Sequence, residues 1–410
     1  MAEAATGKVK ASFKNRVIEN GTSDAPEETV LRSISTMRNS ANRQSVLPTR
    51  LVFPYPPLAV RTLHFDETCR ATELRNGART TATKLMRTNA RNGENLAVAK
   101  GPPISTKAAR LELAKKARVE DAIVLVFAAC LKHLKANERV ALRGVDPEGI
   151  HEMRVALRRI RAALSAFQKN IPAAQVAWMR RESKWLITSL STARNWDVFL
   201  YELLAPVEAA LPGDLGLAEL RAAAQAEREK SYERARSAIL SPRYSSLVAA
   251  MRRWLSDKRW RQDRDKRKSL EEPARELATR VLAKRQKAAF NLGRNFEKLS
   301  AKERHELRIA LKKLRYTADF FRSFYRKKRE KRYFHALAQL QNSLGHMNDI
   351  VMANHLFERL SAAREDQRAS DRLSTAIGIV AGWHTHNARS SEHEAEANWS
   401  EFSGCNAFWV

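Results

Sequence analysis

Three features of the sequence predict an all-α protein. Helix formers dominate the 410 residues, which only 14 glycines and 13 prolines interrupt; alternating runs of β-branched residues are scarce; and apolar residues recur at three- and four-residue spacing from Ser105 onward. With 44% hydrophobic residues the chain can bury real cores, and its length is enough for two or three domains.

Taken in order, residues 1–103 mix Asn, Thr, Ser and Arg with proline-bearing stretches such as VFPYPPLAV and keep no helical period, so a largely disordered segment is expected there. No basic stretch followed by an apolar one marks a secretory signal. Residues 104–410 read as the folded part. The first helix is expected from about Thr106 to Lys135, with Ile123, Phe127, Cys130, Leu131 and Leu134 on one face. Its apolar run Ala122–Leu131 is about half of the ~20 residues a membrane span needs, and Lys132 closes it, so it reads as a core helix and no span is expected. Breaks follow at Asp146-Pro147, Ile171-Pro172, Leu211-Pro212-Gly213 and Ser241-Pro242. The charged run DKRWRQDRDKRKSLEEP, ending at Pro273, is the expected connection between a first half of about residues 104–256 and a second of about 270–410. Three cysteines, Cys69, Cys130 and Cys405, with no C-x-x-C spacing, argue against a disulfide framework or a zinc site and for a reducing, cytoplasmic compartment.

The 74 Lys+Arg against 45 Asp+Glu leave a net charge of +29, more than solubility requires, and point to a polyanionic partner: nucleic acid, polyphosphate or an anionic membrane surface.

The halves are related. HEMRVALRRIRAALSAF from His151 and HELRIALKKLRYTADFF from His305 share seven of 17 positions at an offset of 154 residues, and SLSTARN from Ser189 and SLGHMND from Ser343 align at the same offset. A period this long implies an internal duplication and two similar helical bundles, not a solenoid. On a helical wheel His151, Arg154, Arg158 and Arg161 span an arc of about 80°, opposite Met153, Leu157, Ile160, Leu164 and Phe167. The second copy repeats this with His305, Arg308, Lys312 and Arg315, with Tyr316 beside them, opposite Leu307, Leu311, Leu314, Ala318 and Phe321. An isolated basic run is most often a solvated helix face. The same arc twice, led by the same histidine among few acidic partners, is a candidate anion site instead.

These motifs, together with the W-L at Trp185, the A-R-N-W-D-V at Ala193, the L-G-H-M-N-D at Leu344, the G-W-H at Gly382 and the F-W at Phe408, resemble the paired signatures of the CHAD family, the conserved-histidine α-helical domain. The resemblance covers about residues 104–410. It implies two pseudo-symmetric four-helix bundles whose basic helices face a shared cleft, and binding of inorganic polyphosphate, often at polyphosphate granules. The family's basic positions carry over to His151, Arg154, Arg158, Arg159 and Arg161, to His305, Arg308, Lys312, Lys313 and Arg315, and to Lys184 and Arg194. The chain departs from the family's A-R-D pattern at Asn195, and its segment RSSEHEAEAN is more acidic than the family leads one to expect.

The residue chemistry agrees with that reading. A linear polymer with one negative charge per phosphate needs cations at short intervals, and the arginine fork bonds two phosphate oxygens at once. Arginine neighbours disfavour protonation of the histidine, and a bound polyanion reverses that bias. Four other readings compete. A phosphotransfer histidine needs one exposed ring with light cationic support. A metal site is not expected, because Glu152 and Glu306 directly follow the histidines and neither motif holds H-x-x-x-H; His384 and His386 read as surface residues. A polyphosphatase needs metal-binding carboxylates, and the E-x-E-x-K signature of triphosphatases is missing, so no enzyme and no cofactor are expected. Nucleic acid is the strongest competitor, since RNA is drawn to the same basic cleft, but Tyr316 alone offers a stacking ring there, while Trp178, Trp185 and Trp254 suit core positions.

Overall fold

The computed structural model describes residues 104–361 and 367–410, so the expectation for residues 1–103 lies outside the described residues. The described chain is all-α and contains no strand. Its helices are α1 Val119–Ala136, α2 Glu138–Arg143, α3 Glu148–Ala166, α4 Ala173–Val198, α5 Ala205–Ala210, α6 Leu215–Leu240, α7 Pro242–Ser256, α8 Arg267–Glu271, α9 Ala274–Leu292, α10 Ala301–Phe321, α11 Lys327–Ser361 and α12 Gln367–Ser403. One π-helical turn, Phe199–Leu204, prolongs α4 into α5.

The prolines act as the sequence suggests: Pro147 and Pro172 immediately precede α3 and α4, and Pro242 opens α7 behind Ser241, whose hydroxyl accepts from the Tyr244 N–H. The first helix starts later than expected. Residues 104–113 are non-helical, with Leu111 and Leu113 buried, the Thr106 N–H bonded to Asn137 Oδ1 and the Leu113 N–H to Ser323 Oγ. The helix begins where Asp121 accepts from the Arg118 N–H, a local cap that the upstream lysines cannot supply. No described helix is long and apolar enough to cross a membrane.

The two halves repeat one order of packing. In the first, α1 packs on α3, α3 on α4 and α4 on α6; in the second, α9 packs on α10, α10 on α11 and α11 on α12. Each helix also touches its counterpart: α1 touches α9, α3 touches α10, α4 touches α11 and α6 touches α12. The apolar cores are not divided along the same line. One cluster joins Met153, Leu157 and Ile160 to Leu307, Leu311 and Leu314, and a second joins Trp196, Phe199 and Leu220 to Leu356, Leu373 and Val380. The charged run before Pro273 is mostly exposed and is anchored by Trp260, which is buried against Trp254 with its indole N–H donating to Glu120.

His384 corrects an expectation. It is buried, its Nε2 lies 2.9 Å from the Leu203 carbonyl, and it continues the buried stripe Leu373, Ala376 and Val380 of α12, whereas His386 is exposed.

Candidate anion-binding cleft

The site is built on α3 and α10. Asp146 Oδ1 accepts from the Glu148 N–H and starts α3, and Gly149 lets α2 approach its first turn, since an added Cβ would stand 2.5 Å from the Ala141 nitrogen. Met153, Leu157, Ile160, Leu164 and Phe167 are fully buried, as are Leu307, Leu311, Leu314, Ala318 and Phe321. Each large side chain contributes roughly 1.5–3 kcal/mol of burial, which sets the rotation of both helices and so aims their basic arcs.

Those arcs meet. Arg154 donates from Nη1 to the Ile187 carbonyl at 3.0 Å and to Ser191 Oγ, both on α4. Half-buried His151 is pushed down to about 3 by its burial and then by Arg194, Arg158, Arg154 and Lys312. Lys312 is pushed down to about 6, first by burial, then by Arg308 and Arg158, with Asp349 opposing and Arg154 adding. Arg154 falls to about 9 through burial and its neighbours Arg158 and Arg194, and Tyr316 lies within electrostatic reach of both Arg154 and Arg308. Arg158 Nε and Arg308 Nε are buried with no hydrogen-bond partner among the described residues.

Compensation is thin. Arg308 Nη2 lies 3.9 Å from Asp349 Oδ1, and Arg194 contacts Glu202 at 2.8 Å and Glu148 at 3.9 Å. Arg154, Arg158 and Lys312 have no carboxylate within 4.0 Å among the described residues. The two buried arginines elsewhere among the described residues each have a carboxylate: Arg228 bonds Asp197 at 2.8 Å, and Arg159 is paired with Asp319.

Seven expected residues therefore come together: His151, Arg154, Arg158, Arg194, Arg308, Lys312 and Tyr316. Others do not join them. Arg159 is buried, ion-paired with Asp319 and stacked 5.1 Å from the Phe320 ring, so its role is structural, because a buried guanidinium needs its counter-charge. Arg315 donates to Gln341 at 3.0 Å, and exposed His305 hydrogen-bonds Asn348 at 3.0 Å. Arg161 and Lys313 belong to a separate group with Arg180 and Arg285. Lys184 is exposed on the α4 stripe that carries Ile187, Ser191 and Arg194. Arg180, one turn before Lys184 on the same helix, is the residue the sequence reading missed, and that spacing was its signal.

Glu148, His151 and Glu152 place one ligand atom each within 4.8 Å of one another, closer than the helical directions of Glu152 and His151 suggested. Glu152 is already bonded to His133 Nε2 at 2.8 Å, and four cations surround His151, so the local field opposes a metal cation.

The family model of the CHAD domain matches residues 125–358. The structure is similar to that of the CHAD domain from the plant Ricinus communis, with a TM-score of 0.64 and 28% identity over 74% of this chain and 98% of that one. It also resembles PptA from Streptomyces chartreusis, with a TM-score of 0.52 and 15% identity over 69% of this chain and 100% of that one, a likeness of fold alone. No curated protein matches the chain.

Proposed function

This chain belongs to the CHAD family, and from that premise we propose that it binds inorganic polyphosphate in the cleft between α3 and α10, as a binding module without catalytic activity. The observation that carries the reading is the uncompensated cluster of Arg154, Arg158 and Lys312. Where Arg159 and Arg228 are buried the fold gives each a carboxylate, whereas it holds these three against one another without one, which costs free energy until an anion arrives. Arginine forks and a lysine point charge suit phosphoryl oxygens, and Tyr316 as the single six-membered ring among the seven residues of the cluster favours a polymer of phosphates over stacked bases. Recruitment to polyphosphate granules would use the same contacts.

Titration of the full chain with long-chain polyphosphate at increasing ionic strength tests this. Several displaced counterions should make log K fall steeply and linearly with log salt. A flat response between low and physiological salt would show that the cleft is not the site. RNA that displaces polyphosphate at equal concentration under the same salt would make nucleic acid the ligand instead.

A further inference from the structure

We propose that the hollow between the α9–α10 connection and the last turns of α12 is a second ligand site, which takes a free α-amino acid with an apolar side chain. It lies off both basic arcs and uses none of the residues assigned to polyphosphate.

Backbone bonds fix both walls. Phe296–Lys298 is one 3₁₀ turn, in which the Lys298 N–H donates to the Asn295 carbonyl at 3.0 Å and the Leu299 N–H to the Phe296 carbonyl at 3.2 Å, and Ser300 caps α10 directly behind it. On the other wall α12 closes with the Gly404 N–H and the Ser403 hydroxyl each donating to the Ser400 carbonyl at 3.1 Å. The cavity between them measures about 410 Å³ and has an aromatic lining. Half-buried Trp399 stacks on Phe296 at 5.5 Å and meets Phe290 edge-on at 5.9 Å. Its indole lies against Gly293, where an added Cβ would stand 2.2 Å from the ring, so any larger residue at the end of α9 would push the indole away.

The rim carries both signs of charge. Arg294, Glu297 and Lys298 line the cavity from the connection, and Glu396 lines it from α12. None of these four has an oppositely charged partner within 4.0 Å among the described residues. Elsewhere on the surface such neighbours do pair: Lys230 bonds Glu227 at 2.9 Å and Arg280 bonds Glu272 at 2.6 Å. Glu297 adjoins Lys298 and follows Arg294 by three residues, yet pairs with neither. The connection thus nets a positive charge, while Glu396 makes the α12 wall negative and the unbonded carbonyls of that helix end add to it. A ligand that answers both walls is itself dipolar. Its carboxylate meets Arg294 and Lys298, its ammonium meets Glu396 and the end of α12, and its side chain lies on Trp399. A nucleotide would bring a phosphate of about two negative charges to a rim whose formal charges cancel, which gives it no such advantage.

Ligand-observed NMR titration of the full chain with L-phenylalanine, phenethylamine and phenylpropionate tests this, since the last two each lack one charged end. L-Phenylalanine should bind at least about 10-fold more tightly than either, the loss expected when a charge-assisted contact goes unmade. Arg294→Ala with Lys298→Ala should weaken L-phenylalanine by about 10-fold and leave phenethylamine within about 2-fold, whereas Glu396→Gln should weaken L-phenylalanine and phenethylamine alike and spare phenylpropionate. Saturation transfer that fails to reach L-phenylalanine at millimolar concentration, or equal affinity for all three probes, overturns the site, as does adenosine monophosphate binding more tightly than L-phenylalanine. Long-chain polyphosphate affinity should stay within about 2-fold in every variant; a parallel loss would make Arg294 and Lys298 part of the polyanion's path and overturn the assignment.

Discussion

The two copies of the repeated helix share a sequence pattern and differ in what surrounds them. In α3, His151 is half-buried among cations and Arg154 is clipped to α4 by the Ile187 carbonyl and the Ser191 hydroxyl. In α10, His305 is exposed, and the position equivalent to Ser191 is Gly345, where an added Cβ would meet nothing within 4 Å. The equivalent of Asn195 is Asp349, which draws Arg308 towards it. Arg159 is buried against Asp319, whereas its counterpart Lys313 reaches solvent. The first copy is thus a braced wall and the second an open one. A repeat preserves which way a helix faces; its neighbours decide what each charge does.

The most severe test of one cleft against two sites removes an arc at a time. Arg154→Ala with Arg158→Ala, and separately Arg308→Ala with Lys312→Ala, should each weaken long-chain binding by about 1,000-fold, since each removes two charge-assisted contacts of ~2 kcal/mol. Tripolyphosphate should lose about 10-fold. Calorimetry that found half the sites at unchanged affinity would break the single cleft. Circular dichroism should stay helical, because these side chains lie off the apolar face and alanine favours helix.

Arg159 and Lys313 separate structure from binding. Arg159→Ala removes a buried, stacked guanidinium and leaves the Asp319 carboxylate with Arg322 at 3.5 Å as its remaining partner, and should destabilise the protein by ~2 kcal/mol in denaturant unfolding. Polyphosphate affinity of the folded protein should stay within about 2-fold. Lys313→Ala should cost less than ~0.5 kcal/mol of stability, as for an exposed residue.

The lysine of the second copy also predicts the pH response. In the free protein Lys312 is pushed down to about 6 by burial and by Arg308 and Arg158, and a bound polyanion raises it. Binding above pH 6 therefore takes up a proton, and affinity should rise by up to about 10-fold per unit as pH falls from 8 towards 6, then level off. The sign for stability is opposite. The unfolded chain holds this proton up to about pH 10 and the free fold releases it near 6, so the group's contribution to stability grows as pH rises through that window. Lys312→Met should remove the Lys312 share of the proton uptake and leave only that of His151, read by calorimetry in buffers of different ionisation enthalpy, and should raise free-protein stability by ~1 kcal/mol.

The histidines give the smallest contrast. His151→Ala should weaken long-chain binding by about 3- to 10-fold, as expected for a donor charged by its ligand, whereas exposed His305→Ala should change it by less than about 2-fold. Equal effects would remove the asymmetry between the copies.

Sequence alone determined what periodicity and proline geometry govern. The helices start behind Pro147, Pro172 and Ser241, and the apolar arcs of α3 and α10 are buried residue for residue. The basic arcs then had to face elsewhere, because a helical wheel fixes the angle of each side chain about its own axis. The same wheel sets Arg159 about 100° past Arg158, off the basic arc, so part of its fate was already legible. His384 was legible too, in the stripe Leu373, Ala376 and Val380. Tertiary structure decided the rest. Asp319 pairs with Arg159 from 160 residues away, α3 lies beside α10 so that Lys312 lowers His151, and Leu157 and Leu311 share one core. Local spacing carries no information on these partners, because each depends on how distant helices pack, and the burial that packing imposes is what turns a row of positive residues into a site that favours an anion.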